Sequence, residues 1–126
     1  MKIFVTGSNG FIGSHVVKKA LSSGHEIVGL RRPNHSAKTD LPCQPTWVEG
    51  TLETDMRRAL EGCEAIIHLA AYGVNPNFDS WQEAFRWNVF ASVYLLSQAK
   101  LMGIKRVVIA GSCSEYGRSA ERYEHV

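Results

Sequence analysis

Three glycines at three-residue intervals lie near the start of the chain. Gly7, Gly10 and Gly13 fall in the segment Thr-Gly-Ser-Asn-Gly-Phe-Ile-Gly, between a β-branched apolar run and an amphipathic stretch. Gly7 can take the positive φ of a tight turn, Gly10 has no Cβ to block a pyrophosphate, and Gly13 lets helix and strand pack closely. Free amides at the start of the next helix favour negative charge. The segment therefore predicts a dinucleotide-binding turn rather than a purely structural one.

Other chemistries are disfavoured by what surrounds this segment. No lysine follows Gly13 as a phosphate-binding P-loop requires, which argues against nucleotide hydrolysis. The three cysteines form no Cys-x-x-Cys pair and the five histidines show no metal-ligand spacing, so we expect neither a disulfide framework nor a metal site. The formal charge of +2 is too small for a nucleic-acid or anionic-membrane partner.

The elements that must position the glycines alternate between short β-branched runs and amphipathic stretches. This alternation is typical of parallel strands joined by helical crossovers, and it predicts an α/β, Rossmann-type doubly wound parallel sheet in one domain over residues 1–126. Apolar runs in the fourth and fifth strands predict central strands covered on both faces. The five predicted strands are Lys2 to Thr6, Glu26 to Leu30, Thr46 to Glu49, Ala65 to Leu69 and Arg106 to Ala110.

Three helices are predicted. The first ends at Ser22-Ser23-Gly24, the second is capped by Thr54-Asp55 and runs through Leu60, and the third runs from Asp79 to Met102. The apolar set of the third is wider than one sheet-facing stripe requires, so either part of it faces another subunit or its aromatic residues simply cover the sheet. This set includes Trp81, Ala84, Phe85, Val89, Val93, Leu96 and Ala99.

The glycine segment resembles the opening of the extended short-chain dehydrogenase/reductases, the NAD-dependent epimerase/dehydratase family. Four further stretches resemble family motifs: His68-Leu69-Ala70-Ala71 its fourth strand, Asn88-Val89 its fourth helix, Arg106 to Ile109 its fifth strand, and Gly111 to Gly117 its active-site serine loop. The resemblance implies a dinucleotide cofactor and a nucleotide-sugar substrate. The cofactor-binding residues it implies are Gly7, Asn9, Gly10, Phe11, Ile12, Gly13, Leu69, Ala70, Ala71 and Asn88.

The end of the second strand departs from the NAD-specific pattern. NAD-specific relatives place an acidic residue there for the ribose hydroxyls, whereas this chain has Leu30-Arg31-Arg32. A guanidinium can bind a 2′-phosphate through a bidentate fork. One charge-assisted bond of ~1.5 to 3 kcal/mol corresponds to a preference of about ten- to a hundredfold. We therefore expect NADP rather than NAD, unless Arg31 and Arg32 are solvated loop residues. Thr51 stands where relatives often carry an Asp near the adenine.

Ser112 aligns with the catalytic Ser or Thr of the family, which polarises the substrate hydroxyl or carbonyl. Cys113 and Ser114 replace the acidic residues of the sugar-nucleotide dehydratases, which favours epimerase or ketoreductase chemistry. The family's general acid/base lies in a Tyr-x-x-x-Lys motif, and no tyrosine of the chain has a lysine at that spacing. We therefore interpret the chain as an inactive N-terminal part of such an enzyme, truncated before the last strand or strands and the C-terminal substrate lobe.

Three functions are open on the sequence alone. The chain is an NADP-binding part of a nucleotide-sugar epimerase or reductase, a non-catalytic NADP-binding regulatory or redox-sensing domain, or a reductase of non-sugar carbonyls. An uncovered apolar sheet edge and face predict a homo-oligomer. With no signal-peptide pattern and no apolar run of ~20 residues, we expect a cytoplasmic protein without a membrane partner.

Overall fold

The structure is a computed structural model that describes residues 1–33, 35, 38–73, 80–112, 115 and 117. Its five strands are all parallel and form one sheet in the order β3-β2-β1-β4-β5. The Rossmann-type sheet is thereby confirmed, and each predicted strand is right to within one residue at either end. The strands are β1 (Lys2–Thr6), β2 (Glu26–Arg31), β3 (Thr46–Glu49), β4 (Ala65–His68) and β5 (Arg106–Ile109).

The helices cover both faces of the sheet. They are α1 (Phe11–Ser22), α2 (Arg57–Leu60), α3 (Trp81–Phe85) and α4 (Ala91–Leu101). A π-helical turn (Arg86–Phe90) joins α3 to α4, so the predicted third helix is a single helical stretch with a π turn inside it. The second helix begins later than predicted, because Met56 is its N-terminal flanking residue and the Asp55 carboxylate instead accepts the Arg57 amide at 3.0 Å.

Two apolar layers sandwich β1, since alternate residues of a strand point to opposite faces. Phe4 is fully buried and packs with α2 and α4 on one face, while Ile3 and Val5 pack with α1 on the other. From the long helical stretch, Ala91, Leu95 and Ala99 are buried in the core, each at most 3% exposed, and the partly buried Trp87 packs against it.

The prediction that the fifth strand is central and covered was wrong, and so was one of the two alternatives for the third helix, that its aromatic residues cover the sheet. β5 lies at an edge of the sheet among the described residues, and its Val107, Val108 and Ile109 are 38%, 62% and 51% exposed. Trp81 and Phe85 do not cover the sheet, since they are 78% and 53% exposed. An apolar strand or helix is stabilised when its side chains are buried. Its sequence does not specify which other segment packs against those side chains.

Candidate functional site

The three glycines of the β1–α1 turn are glycines for different reasons. Gly7 has a φ of +65°, and a Cβ there would lie 2.8 Å from the Ala70 amide nitrogen. A Cβ on Gly13 would lie 1.9 Å from the Gly7 carbonyl oxygen, so the close packing of α1 requires glycine. Gly10 has an ordinary φ of −73°, and a Cβ there would meet that same oxygen alone, at 3.2 Å. The fold therefore requires Gly7 and Gly13, whereas a Cβ at Gly10 would make only one close contact.

Two buried hydroxyls on either side of Gly7 tie the turn to the neighbouring strands. Thr6 Oγ1 accepts the amides of Leu69 and Ala70, each at 3.2 Å, just beyond β4. Ser8 Oγ donates to the Leu30 carbonyl at 2.7 Å, near the end of β2. The position of the turn is thus fixed from both sides by fully buried side chains.

The start of α1 is left without a capping side chain. The first intrahelical bond runs from the Ser14 amide to the Gly10 carbonyl at 2.9 Å, so the amides of Phe11, Ile12 and Gly13 have no acceptor within the helix. The first turn contains no acidic residue. Three free donors at the positive end of a helix dipole fit an anionic group such as a pyrophosphate.

A cleft of about 550 Å³ opens at the carboxyl ends of the strands, where the chain reverses direction across the sheet between β1 and β4. Ligands of parallel α/β sheets bind at this position, and the volume is ordinary for a small-molecule site. The cleft is lined by Gly7, Asn9, Gly10, Leu30, Arg31, Arg32, Gly50, Thr51, Leu52, Leu69, Ala70, Ala71, Tyr72, Gly73, Trp87 and Asn88.

Nine of the predicted site residues therefore come together, and four do not line the cleft. Gly13 is inside the helix–strand contact, while the side chains of Phe11 and Ile12 are 77% and 66% exposed. Ser112 lies beyond β5, where its carbonyl oxygen accepts the Glu115 amide at 3.1 Å. Cys113, Ser114 and Tyr116 of the serine loop lie outside the described residues.

Asn88 contributes to the cleft by holding its wall. Its Oδ1 accepts the Tyr72 amide at 2.8 Å and its Nδ2 donates to the Tyr72 carbonyl at 2.9 Å. The side-chain amide thus pairs with the backbone as a neighbouring strand would. This clamp joins the segment after β4 to the π turn.

A buried histidine explains where the π turn sits. His68 is 3% exposed; its Nδ1 lies 2.6 Å from Thr6 Oγ1 and its Nε2 2.9 Å from Ser92 Oγ. Ser92 Oγ in turn donates to the Trp87 carbonyl at 3.5 Å. The Ala91 amide donates to the Arg86 carbonyl, five residues earlier, instead of to the Trp87 carbonyl as in an α-helix. The ladder of α-helical bonds is interrupted where the serine hydroxyl enters it.

The hydrogen-bond partners of His68 determine its tautomer. Because Thr6 Oγ1 already accepts two amides, its single proton must go to Nδ1 of the ring. His68 is therefore neutral with its proton on Nε2, which donates to Ser92. Burial agrees with this, since desolvation of the ring lowers the pKa of His68.

The second strand ends in two arginines with different surroundings. Arg31 Nη2 donates to Glu49 Oε1 at 3.0 Å, and the Arg31 guanidinium carbon lies 5.1 Å from the centre of the Trp47 ring. Arg31 Nε is buried without a hydrogen-bond partner among the described residues. Arg32 is exposed and takes part in none of the ion pairs formed in the described part of the chain.

The loop after β3 is held to the π turn by a bidentate ion pair. Arg86 Nε and Nη2 donate to the two carboxylate oxygens of Glu53 at 2.6 and 2.7 Å, and these bonds lower the pKa of Glu53. Thr51, on the same loop, faces the cleft, but its hydroxyl already accepts the Glu53 amide at 3.3 Å.

Sequence reasoning missed the residues that hold the site together. Ser92 belongs to no predicted motif, and Thr6 and Ser8 stand in the glycine segment without a predicted role, although hydroxyls one residue to either side of a turn glycine are a usable signal. Tyr72, Gly73 and Trp87 line the cleft and are neighbours of predicted residues. No cluster of three or more potential metal-ligating side chains occurs in the described ranges, and no helix there is long and apolar enough to cross a bilayer.

Comparison with known proteins gives consistent matches. The model of the NAD dependent epimerase/dehydratase family matches residues 3–126. A UDP-glucose 4-epimerase of Klebsiella pneumoniae is 30% identical over 129 residues, covering 93% of this chain and 93% of the relative. A putative dihydroflavonol 4-reductase of Synechocystis sp. is 32% identical over 120 residues, covering 90% of this chain and 33% of the relative.

Solved structures agree with these relatives. The structure of MoeE5 in complex with UDP-glucose and NAD has a TM-score of 0.77 and 33% identity over 93% of this chain and 38% of MoeE5. The UDP-glucose 4-epimerase from Bifidobacterium longum in complex with NAD+ and UDP has a TM-score of 0.81 at 21% identity, a likeness of fold alone. The chain thus spans about a third of the length of several proteins it matches, although it spans 93% of the Klebsiella relative.

Proposed function

We propose, from the premise that this chain belongs to the NAD dependent epimerase/dehydratase family, that its cleft binds a nicotinamide dinucleotide with the pyrophosphate at the start of α1. The single observation that carries the proposal is the uncapped helix start, where three amides next to the cleft-lining Gly10 have no acceptor within the helix. A bound dinucleotide supplies hydride transfer. The chain supplies the binding site and its orientation.

The roles of the predicted residues follow from their positions. Gly7, Asn9 and Gly10 form the floor beside the phosphates, and Phe11, Ile12 and Gly13 contribute backbone amides rather than side chains. Leu69, Ala70 and Ala71 form the wall beyond β4, which Asn88 holds through Tyr72. The serine loop resemblance makes Ser112 the residue that polarises the substrate.

The reaction we propose for the whole enzyme is epimerisation or reduction of a nucleotide sugar. Its support is the name of the Klebsiella relative and the UDP-glucose bound in MoeE5. A reductase of non-sugar carbonyls is the second candidate, because the Synechocystis relative is named a dihydroflavonol reductase. For residues 1–126 alone we propose binding without turnover, since no tyrosine in them has a lysine four residues later.

The two arginines from which a preference for NADP was predicted differ in their availability. Arg31 is paired with Glu49, so Arg32 is the arginine that can bind a 2′-phosphate without first breaking an ion pair of the described residues. MoeE5, at 33% identity, is described with NAD. We propose that the site accepts both dinucleotides.

Thermal unfolding with added NADH or NADPH tests the dinucleotide site. A ligand that binds only the folded chain stabilises it by about 2.7 kcal/mol at a hundred times its dissociation constant, so we expect the midpoint to rise with either dinucleotide. No rise with either, up to millimolar concentrations, would contradict the proposal.

The variant Gly10→Ala makes the test specific to the glycine turn. Its backbone conformation suits alanine, so we expect little loss of stability but at least a tenfold weaker affinity for NADH, about 1.4 kcal/mol. Ser22→Ala, at the exposed opposite end of α1, is the control and should leave the affinity unchanged.

A further inference from the structure

The ends of β2 and β3 carry a cluster of side chains beside the cleft. Arg31 is the register partner of Glu49, and Gly29 is the register partner of Trp47 two residues earlier. Residues two apart in a strand share a face of the sheet, so all four positions lie on one face. A Cβ on Gly29 would lie 2.7 Å from the Trp47 ring. Gly29 therefore makes the room in which the indole lies against β2.

Arg31 is held on two sides in this cluster. Glu49 accepts its Nη2 at 3.0 Å, and the Trp47 ring lies 5.1 Å from its guanidinium carbon. A bidentate fork to a phosphate requires two free N–H groups on one edge of the guanidinium. Because Nε is buried, the Nε–Nη2 edge is not available in this arrangement, and at the remaining Nη1–Nη2 edge Nη2 already donates one N–H group to Glu49.

We propose that Glu49 sets the preference of this site between NADP and NAD by pairing with Arg31 beside Trp47, so that a 2′-phosphate must compete with the carboxylate for the guanidinium. The inference rests on the dinucleotide site proposed above and deepens it. The carboxylate compensates the charge of Arg31, and a 2′-phosphate that approaches Arg31 also meets this like charge. NAD carries no such phosphate and leaves the pair intact.

Glu49 competes with a 2′-phosphate for Arg31 and does not exclude the phosphate permanently. The Arg31 and Glu49 side chains are 28% and 50% exposed, and ion pairs of that exposure are weak. A 2′-phosphate can therefore displace the carboxylate at a cost, so removal of the carboxylate should move the preference by a measurable factor.

The test is the ratio of the dissociation constants of NADH and NADPH in Glu49→Gln, measured by fluorescence titration. Glutamine keeps the size of the side chain and removes its charge. We expect NADPH to gain about tenfold relative to NADH, because one charge-assisted bond of Arg31 becomes free for the phosphate. Glu26→Gln, at the opposite end of β2 and close to Lys2, changes the net charge equally and should leave the ratio unchanged.

A double-mutant cycle separates holding of Arg31 from simple repulsion by Glu49. In an Arg31→Gln background, Glu49→Gln should leave the ratio unchanged, since there is no guanidinium to release. The inference is overturned if Glu49→Gln shifts the ratio equally in both backgrounds, or not at all while the parent chain binds both dinucleotides. If the parent chain binds neither dinucleotide, the proposed function itself fails. Unchanged thermal midpoints of the variants confirm that each one folds.

Discussion

At the scale of single residues, the site depends on polar side chains that do not line the cleft. Thr6, His68 and Ser92 form one buried chain of hydrogen bonds whose polarity is set by the two amides that Thr6 accepts. The chain starts at backbone amides and ends at the Trp87 carbonyl, groups that do not exchange protons with a substrate. Its role is therefore to position the turn, the end of β4 and the π turn relative to one another.

His68 should make the folded chain sensitive to mild acid. Burial lowers its folded-state pKa, so the unfolded chain takes up the proton first, and this stability is complete above the unfolded pKa of about 6.5. We expect the free energy of unfolding to decrease as pH falls from 7 to 5, by up to about 1.4 kcal/mol per pH unit.

Urea unfolding at several pH values measures this dependence, with His68→Gln as the matched variant. Glutamine can accept from Thr6 and donate to Ser92 but does not titrate, so its dependence on pH over the same range should be flatter. Equal slopes for the two chains would show that other groups are responsible.

At the scale of elements, the π turn is the feature that sequence patterns did not reveal. The apolar spacing predicted a helix from Asp79 to Met102, and the structure has that helical stretch over Trp81–Leu101. The extra residue in one turn arises from a contact between β4 and α4, and periodicity within a helix carries no information about such a contact. Asn88 was predicted from its motif, whereas its bond to the Tyr72 backbone follows from the turn.

Asn88→Ala should loosen the wall of the cleft without unfolding the helix. The variant loses both bonds to the Tyr72 backbone, so we expect the Tyr72 amide to exchange with solvent faster and NADH to bind more weakly, by about tenfold. Hydrogen exchange followed by NMR measures the first effect and fluorescence titration the second.

Asn88→Asp supplies the comparison for this experiment, because its carboxylate can still accept the Tyr72 amide but cannot donate to the carbonyl. Exchange at Tyr72 intermediate between the parent chain and the alanine variant is expected. If the Tyr72 amide exchanged at the parent rate in both variants, Asn88 would not be holding the Tyr72 backbone.

At the scale of the whole molecule, the strands and the glycine turn could be predicted because both are local in sequence. Each strand is one apolar run, and the φ of +65° at Gly7 and the contact of Gly13 with the Gly7 carbonyl both lie within the turn. The state of Arg31 could not be predicted, since its partner Glu49 lies 18 residues away on another strand. The exposed apolar edge at β5 agrees with the uncovered sheet edge that was predicted, whereas the central position predicted for that strand was wrong.

The outer side of the long helical stretch bears on association. Trp81, Phe85, Val89 and Val93 recur at four-residue intervals and are 43% to 78% exposed. Exposed apolar side chains grouped on one element are typical of an interface. The interpretation that part of this set faces another subunit therefore stays a prediction, now supported by the exposure of these side chains.

We expect the chain to sediment above its monomer mass of 14.0 kDa at micromolar concentration. Val93→Lys should shift the equilibrium toward the monomer, because it places a charge within this set of exposed apolar side chains. Ser22→Lys adds the same charge on α1, across the sheet, and should not. A monomer throughout the concentration range would contradict the prediction.

The strand order has a consequence for synthesis on the ribosome. β1 is made first, yet its second neighbour is β4, and the bond between Thr6 and His68 joins residues 62 positions apart. The cleft also requires Trp87 and Asn88. A nascent chain that has released β1 to β3 can pair those strands, but it lacks one wall of the cleft. The ability to bind a dinucleotide should therefore appear late in translation, after the π turn has left the exit tunnel. The reason is that β1 must first pair with β4, which is distant in sequence.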